Sequence, residues 1–600
     1  MFREISTYRR YEWTVVLFAA AIFLGCIISP PSLMDDVDAV QATIAHTMLT
    51  TGDWVTPHLD GVRYFEKPPL KYWLIASAFK LFGVHDYVAR LPLALVDVLL
   101  CWLVFRMGVW AFGERAGFYA GLTISTCIGL FLFTRILIPD SQLTFAITLA
   151  LWSFMRALDP DERSPRALGL LMWASIAAAV LLKGLIGALF PCGIALVYLA
   201  VTRQLLRRDT WRRLAPGWGI LLFFCLALPW HILAIVRNPP YFNFSLQSGP
   251  GNYRGFFWAY FFNEHILRFI NRRFPHDYDT VPRSLFWVLN LLWLFPWSVY
   301  LPTLFQLKSS SNDRASQTRL LSLCAIGLVM LFFTFSSTQE YYSMPIYPFA
   351  ALLIGCGMAM GNPQTSAWVR RGNFLIIGVC TAALLSILVI LAHVWNLPTP
   401  GDIAVALNSQ STSNYTLSLG HMGDLTLQSF AYLRAPLILA AVATAIGITG
   451  LLIFETRRGV IAIALMMVVF FHAARLAMVA FDPYLSSRPL ASALLDSPPG
   501  KLIVSDQYYS FSSVLFYTNR SAYLLNGRVQ NLEYGSNAPD APPVFIANSD
   551  LARMWRESQR YYLLAEHEFM PRIEAVVGWK NFTVVEQSGG KLLLTNHSVR

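Results

Sequence analysis

Three aspartates stand close together directly after the first long apolar segment of the chain. Asp35, Asp36 and Asp38 lie within Leu33-Met-Asp-Asp-Val-Asp-Ala39. A carboxylate at the end of a membrane span, beside apolar surface, can act as a general base or hold a metal ion. The alternative is structural, because aspartates favour the solvated N-terminus of a helix, which they cap. The residue types alone leave both interpretations open.

A second polar group follows in Tyr64-Phe-Glu-Lys-Pro-Pro-Leu-Lys-Tyr-Trp73. Glu66 and Lys67 lie between aromatic rings and a double proline, and the prolines fix the backbone and exclude a helix there. A lysine at the membrane surface can bind a phosphate as a point charge. It can also simply extend toward the lipid headgroups. The density of Trp, Tyr and Pro argues against a merely solvated loop.

Further candidate residues lie inside apolar sequence or at its borders. They are Arg135, Asp140, Lys183, Glu264, His265, Arg268 and Tyr342. An ionisable residue inside apolar sequence is by default a functional candidate with a partner. Glu264 and Arg268 are four residues apart and therefore share one face of a helix. Cations, carboxylates and tyrosines around an apolar groove are what a site for a phosphate-headed lipid needs.

The elements that position these residues follow from an unusual composition. Of 600 residues, 56% are apolar or aromatic and only 14% are charged, whereas soluble proteins carry about 25% charged residues. Such a chain cannot cover itself with polar surface, which excludes a soluble multidomain protein, a coiled coil and a disordered chain. We attribute the net charge of +11 to the cytoplasmic loops of a membrane protein rather than to nucleic-acid binding.

Apolar segments of about 20 residues, the length that crosses a bilayer, recur along the chain. We predict about thirteen membrane spans, near 13–30, 89–111, 116–134, 138–157, 167–183, 184–201, 215–236, 284–305, 319–336, 343–360, 373–395, 433–454 and 459–480. Arginines flank the first span and recur in every loop that alternation places on the same side. This pattern predicts a cytoplasmic N-terminus and, with an odd number of spans, an external C-terminus.

The predicted outer side carries long segments and a separate tail. Loops 31–88, 237–283 and 396–432 are too long to be plain connectors. Within the first loop, Thr43–Leu49 and Leu70–Phe82 have the spacing of amphipathic helices in the membrane interface.

The tail, 481–600, has the composition of an ordinary soluble α/β domain. In it we predict strands at Lys501–Ser505, Pro543–Ala547, Trp579–Val585 and Lys591–Thr595, and a helix at Leu551–Gln559. The chain therefore divides into a membrane domain, 1–480, and an exported domain, 481–600.

Several motifs occur together in one order, and their set resembles a known family. They are Met48-Leu-Thr-Thr-Gly-Asp-Trp54, Tyr64–Trp73, Leu182-Lys-Gly-Leu185, Leu228-Pro-Trp230, Glu264-His-Ile-Leu-Arg-Phe269, Phe295-Pro-Trp297 and Tyr341-Tyr-Ser-Met-Pro345. The set resembles the bacterial transferases that add 4-amino-4-deoxy-L-arabinose to lipid A, within the protein mannosyltransferase-like GT-C glycosyltransferases. The resemblance covers about residues 10–480 and extends in outline to the tail. It implies a polytopic α-helical membrane protein with a small C-terminal α/β domain in the periplasm.

The resemblance also implies roles for individual residues. The family's catalytic aspartate follows the first span, and the shifted register here favours Asp36 as the base, with Asp35 and Asp38 as rivals. Binding of the donor phosphate carries over to Lys67, Arg268 and Tyr342, with Tyr64 beside them. Glu66 and His265 become candidate ligands of a divalent metal ion. Arg135 and Asp140 match the family only loosely, and Lys183 and Glu264 remain further candidates.

The sequence therefore predicts a multi-pass glycosyltransferase of the bacterial inner membrane. It would transfer a sugar from undecaprenyl phosphate to a lipid, such as lipid A, or to a protein, in contact with membrane lipids. The alternative from another class is a flippase or transporter of lipid-linked sugars, which would place its binding groups near the middle of the bilayer. A non-catalytic sensor that binds ligands through its tail is a second alternative.

Overall fold

The computed structural model describes residues 2–276, 280–307, 313–407, 423–454, 456–579 and 581–598. Parts of two predicted outer loops, 277–279 and 408–422, lie outside the described residues.

Helices make up nearly all of the membrane domain. The first eleven are α1 Phe2–Phe23, α2 Asp38–Thr51, α3 Leu70–Phe82, α4 Asp86–Phe112, α5 Glu114–Thr126, α6 Ile128–Phe133, α7 Asp140–Leu158, α8 Pro165–Lys183, α9 Ile186–Val201, α10 Arg208–Leu214 and α11 Pro216–Arg237. After them come α12 Gly255–Phe257, a π-helix Trp258–Leu267, α13 Arg283–Trp293, a 3₁₀ helix Trp297–Gln306, α14 Arg314–Thr334, a 3₁₀ helix Glu340–Ile346, α15 Tyr347–Ala359, α16 Pro363–Val394, α17 Ser429–Tyr432, α18 Arg434–Ile453 and α19 Thr456–Ala480.

The predicted spans all fall on helical segments, but not every one is a straight membrane-length helix. Within the described ranges nine helices are long and apolar enough to cross a membrane. The number is ten if α13 and the 3₁₀ helix after it, which meet at 96°, form one bent span. Predicted span 116–134 is broken between α5 and α6, because Cys127 is extended. Helix α9 has only 16 residues, so the total of thirteen stays a prediction.

The first outer loop contains the two predicted amphipathic helices, α2 and α3. A short antiparallel hairpin of β1 His58–Leu59 and β2 Val62–Arg63 joins them. The double proline Pro68-Pro69 ends the irregular segment before α3, as the fixed proline φ requires. Their position at the membrane interface stays a prediction.

The tail folds into a six-stranded mixed sheet with helices around it. Its elements are α20 Asp482–Leu485, α21 Arg488–Asp496, β3 Lys501–Ser505, α22 Ser512–Thr518, β4 Ala522–Leu525, α23 Gln530–Ser536, β5 Phe545–Ile546, α24 Asn548–Met554, β6 Tyr561–Glu566, α25 Met570–Val577, β7 Thr583–Ser588 and β8 Lys591–Thr595. The strand order is β5-β4-β3-β6-β8-β7. The neighbouring strands among β3, β4, β5 and β6 are parallel, and β8 is antiparallel to both of its neighbours, β6 and β7.

The sheet agrees with the sequence prediction in type but extends it. Strands β4 and β6 were not predicted, although β6 is central and buried along most of its length. The predicted helix at Leu551–Gln559 lies earlier, as α24.

One apolar core joins the tail to the first outer loop. Buried side chains of the loop, such as Val40 and Tyr72, share a cluster with tail residues such as Phe511, Leu524 and Leu593. Burial of each large apolar side chain stabilises such an interface by about 1.5–3 kcal/mol. The tail is therefore packed against the segment that follows the aspartates.

Candidate functional site

Many of the predicted candidates meet around one cavity. Its volume is about 680 Å³.

 A second cavity, of about 1040 Å³, lies between the end of α1, the α3–α4 turn and α22. The polar lining of the smaller cavity is Glu66, Lys67, Lys183, Glu264, His265, Arg268 and Tyr342. Its other wall is apolar and comes from α9, α14 and the segment after the π-helix. The cavity thus combines a charged end with an apolar groove.

Each of three cations at the charged end has a carboxylate partner. Lys67 Nζ lies 3.0 Å from Glu66 Oε1, and Arg268 lies 2.7 Å from Glu264 Oε2. Lys183, at the end of α8, pairs with Asp140, at the start of α7. Asp140 does not line the cavity, but its partner does. The pairing holds the long cationic side chains in place, which lowers the entropy that they lose when an anion binds.

The carboxylates of the first two pairs are ionised. Burial alone would raise their pKa values, but neighbouring cations reverse the effect. Lys67, Lys71 and Arg273 lower the pKa of Glu66 below its usual range. Arg273 and Arg268 likewise lower the pKa of Glu264. The charged end is therefore a cluster of ions at neutral pH.

Tyrosines complete the arrangement around the cations. The Arg268 guanidinium donates a hydrogen bond to the Tyr342 hydroxyl at 3.0 Å. Lys183 Nζ lies 4.3 Å from the centre of the Tyr342 ring, within the range of a cation–π contact. Tyr64 lies on the other side, where its hydroxyl donates to Glu66 Oε2 at 3.0 Å. Tyr342 thus contacts two of the three cations.

The π-helix Trp258–Leu267 positions Glu264 and His265, and Arg268 follows at its end. Helices of this type are rare and concentrate at functional sites. Gly184 contacts this helix closely, since a Cβ there would lie 2.2 Å from His265 Nε2. Its φ of +80° also favours glycine. The motif Leu182-Lys-Gly-Leu185 therefore brings Lys183 to the cavity at a close approach between α8 and the π-helix.

The predicted metal ligands do not form a metal site in this geometry. The Leu185 N–H donates to His265 Nε2 at 2.9 Å, and His265 Nδ1 bonds to the Tyr260 carbonyl at 2.5 Å. Both ring nitrogens are thus engaged with the backbone, and Glu66 is paired with Lys67. In the described part of the chain no three metal-ligating side chains cluster. A metal ion at Glu66 and His265 stays a prediction that the present contacts do not favour.

Two of the three aspartates hold the structure together. Lys591 Nζ lies 2.7 Å from Asp35 Oδ2, and Ser487 and Ser513 donate to the same carboxylate. Asp38 is fully buried, accepts the Leu137 N–H at 2.8 Å and lies 3.4 Å from Arg90. Burial outweighs these contacts and raises the pKa of Asp38.

Asp36 differs from both neighbours. It is exposed and has a φ of +70°, a conformation that is uncommon for residues other than glycine. Its backbone N–H donates to the Tyr509 carbonyl of the tail at 2.8 Å. Tyr509 in turn neighbours Tyr64, whose pKa is raised by burial, by Glu66 and by Tyr509. Asp36 does not line the cavity described above. Its backbone is bonded to Tyr509, a neighbour of Tyr64, and Tyr64 donates a hydrogen bond to the cavity residue Glu66.

Other residues differ from the sequence interpretation. Arg135 is buried with its guanidinium over the Phe131 ring, and it does not line the cavity. Two residues that were not predicted join the cluster of charges. Arg273 pairs with Glu264 at 2.5 Å and also contacts Asn531 of the tail. Lys71 is buried near Glu66 and Lys67. Its position on the apolar face of a predicted amphipathic helix could have indicated this burial from the sequence.

Comparisons with known proteins find similar chains. Residues 66–232 match the family model described as dolichyl-phosphate-mannose-protein mannosyltransferase. An undecaprenyl phosphate-alpha-4-amino-4-deoxy-L-arabinose arabinosyl transferase from Pseudomonas paraeruginosa is 29% identical over 387 residues, which cover 63% of this chain and 65% of that protein. A second such transferase, from Pseudomonas fluorescens, is 30% identical over 394 residues, covering 64% of this chain and 63% of that protein. The aligned region thus spans slightly less than two thirds of each relative.

The likeness extends to the fold. The crystal structure of ArnT from Cupriavidus metallidurans bound to undecaprenyl phosphate superposes with a TM-score of 0.76 at 21% identity, over 97% of this chain and 98% of that one. Its apo structure gives a TM-score of 0.74 at 20% identity. At these identities the likeness establishes the fold. The chain is a multi-span helical membrane protein with the fold of a GT-C glycosyltransferase.

Proposed function

We propose that this protein transfers a sugar from a polyprenyl phosphate, such as undecaprenyl phosphate, to an acceptor on the periplasmic side of the bacterial inner membrane. The cavity carries the proposal, because cations lie at one end and apolar side chains along its wall. A phosphate would contact Lys67, Lys183 and Arg268, while the prenyl chain would occupy the apolar groove. The names of the transferase relatives support the same chemistry.

The cations would act most strongly on the leaving group. During transfer the bond between the sugar and the phosphate oxygen breaks, and negative charge develops on the phosphate. Cations that are already in place stabilise that charge without reorganisation. Arg268 and Lys67 can donate hydrogen bonds to it, and charge-assisted bonds of this type are about twice as strong as neutral ones.

Asp36 is our candidate for the base. The carboxylates of Asp35 and Asp38 are buried, whereas Asp36 is exposed in a strained conformation. Strained backbone of this kind clusters at functional sites. Asp36 would take the proton of the acceptor hydroxyl or amine as the new bond to the sugar forms, with inversion at the sugar carbon.

The acceptor and the orientation belong to the same proposal. The named relatives favour a lipid acceptor of the lipid A type, and a protein acceptor is the second possibility. The cytoplasmic N-terminus and the periplasmic C-terminus rest on the distribution of arginines. A flippase is less well supported, because the charged groups gather where the outer loops meet the ends of α7 and α8 rather than in the middle of the spans.

The test uses purified full-length protein, a radiolabelled polyprenyl-phosphate sugar and isolated acceptors. We expect transfer of the label to a lipid or protein acceptor, and donor affinity about 10–100-fold weaker in Lys67→Ala and in Arg268→Ala. Lys80→Ala, at an exposed lysine of α3, is the matched control and should bind like the wild type. Movement of an intact lipid-linked sugar across a vesicle membrane without transfer would instead support a flippase.

A further inference from the structure

Lys71 is a buried cation without a carboxylate partner among the described residues. Only 3% of it is exposed. Its Nζ donates to Gln41 Oε1 at 2.6 Å and lies 3.4 Å from the Leu137 carbonyl. Neither partner is charged. A buried ammonium with only neutral partners loses its proton more easily than an exposed one.

The position of Lys71 links it to the charged end of the cavity. It interacts electrostatically with both members of the Glu66–Lys67 pair and with both members of the Asp140–Lys183 pair. Within each pair, the carboxylate favours a positive charge on Lys71 and the cation opposes it. An anion bound to Lys67 and Lys183 would disturb that balance and favour a positive charge on Lys71.

The other groups in contact with Lys71 carry no charge that could change when a ligand binds. Helix α2 contributes the neutral Gln41, and the turn before α7 contributes a backbone carbonyl. Tyr72, the next residue on α3, contributes its ring 4.9 Å from Nζ. Burial, more than the neighbouring charges, lowers the pKa of Lys71 to about 7. This value places its titration in the physiological range.

The proposed reaction needs a group that can take up a proton near neutral pH. A sugar linked through a phosphodiester carries one negative charge at the phosphate, whereas the polyprenyl monophosphate left after transfer carries up to two. The acceptor releases one proton in the same step. The charged end must therefore hold additional negative charge before the product leaves.

We infer that Lys71 takes up a proton when a phosphate ester occupies the cavity and thereby adjusts the charge of the site to its ligand. The inference rests on the proposed function. Lys71 is a positioning residue in this scheme, since it acts on the phosphate through its field and not by contact. The proton comes from solvent when the donor binds and returns to solvent when the monophosphate leaves.

Calorimetry of ligand binding in buffers of different ionisation enthalpy measures such a proton directly. The probe is a short isoprenyl methyl phosphate, a phosphodiester with no titratable proton near neutral pH. We expect the wild type to take up about half a proton per bound ligand at pH 7, and less at pH 6 where Lys71 is already charged. Lys71→Met should abolish this uptake, and Lys80→Met on the same helix should retain it.

A second variant separates charge from proton transfer. Lys71→Arg keeps a permanent cation, so it should bind the diester about as well as the wild type but without proton uptake. Uptake that persists in Lys71→Met or Lys71→Arg, or no uptake by a wild type that binds the diester, would overturn the inference. A wild type that binds neither this diester nor isoprenyl monophosphate would instead contradict the proposed function.

Discussion

The charged end of the cavity and the aspartate segment are held by different kinds of contact. At the cavity, Glu66 pairs with the next residue in the chain, and Glu264 pairs with a residue four positions later. In the aspartate segment, Asp35 pairs with Lys591, which lies 556 residues further along the chain. The ion pairs at the cavity thus lie within the membrane domain, whereas Asp35 is held by the tail.

This difference suggests a division of roles. The membrane domain supplies the cations for the phosphate, whereas the tail fixes the backbone next to the proposed base. A substitution at the cations of the cavity should therefore alter donor affinity, and a substitution in the aspartate segment or in its contacts with the tail should alter turnover. The following variants test that separation.

Asp36→Asn should have the largest effect. Loss of a general base lowers turnover by about 10²–10⁴-fold, and donor affinity should stay within about twofold because no cation is removed. Transfer assays and donor-binding titrations check both expectations. Asp496→Asn, at an exposed aspartate of the tail, is the control. Full turnover in Asp36→Asn would remove Asp36 as the base.

Gly184→Ala should damage the other region. The new Cβ would collide with His265 and displace the Leu185 hydrogen bond, so that Lys183 and the π-helix shift apart. We expect donor affinity to fall about tenfold or more. Gly193→Ala in α9, where a Cβ would meet only Leu328 side-chain atoms at 3.4 Å, should bind donor normally. Unchanged affinity in Gly184→Ala would show that this close approach does not set the phosphate site.

Lys591→Met should separate the two regions most clearly. It leaves the buried Asp35 carboxylate without its cation, which destabilises the contact between the tail and the aspartate segment. We expect turnover to fall about tenfold and donor affinity to stay unchanged. Lys501→Met, at an exposed lysine of the same sheet, is the matched control. A loss of donor affinity equal to the loss of turnover would contradict the proposed separation.

Asp60→Asn should have the smallest effect, on stability. Asp60 Oδ2 is buried and has no hydrogen-bond partner among the residues that the structure describes, and burial raises the pKa of Asp60 to about 7. The folded state therefore loses stability as the pH rises from about 4 through 7, where the carboxyl ionises. We expect the variant to match the wild type below about pH 4, where the carboxyl is protonated in both states, and to be more stable by about 3 kcal/mol at pH 8. A thermal unfolding series over pH measures the difference, and equal stability at pH 8 would contradict it.

The sequence allowed much of the cavity to be predicted, for identifiable reasons. Lys67, Lys183 and Arg268 are conspicuous because charged residues are costly in apolar sequence. The pairing of Glu264 with Arg268 follows from helical spacing. Lys71 and Arg273 were missed, since a lysine in an amphipathic helix and an arginine in a loop are usually solvated. Strands β4 and β6 were missed because short buried strands have no clear period.

The sequence by itself determined that the chain lies in a membrane, where its apolar segments fall, and which residue types could bind a phosphate. Composition and local spacing carry that information because the bilayer imposes the length and polarity of each span. Only the tertiary structure decided that the carboxylates of Asp35 and Asp38 are buried and that Asp36 is exposed. The ion pairs of Asp38 and Asp35 join residues 52 and 556 positions apart, so no local pattern in the sequence specifies them.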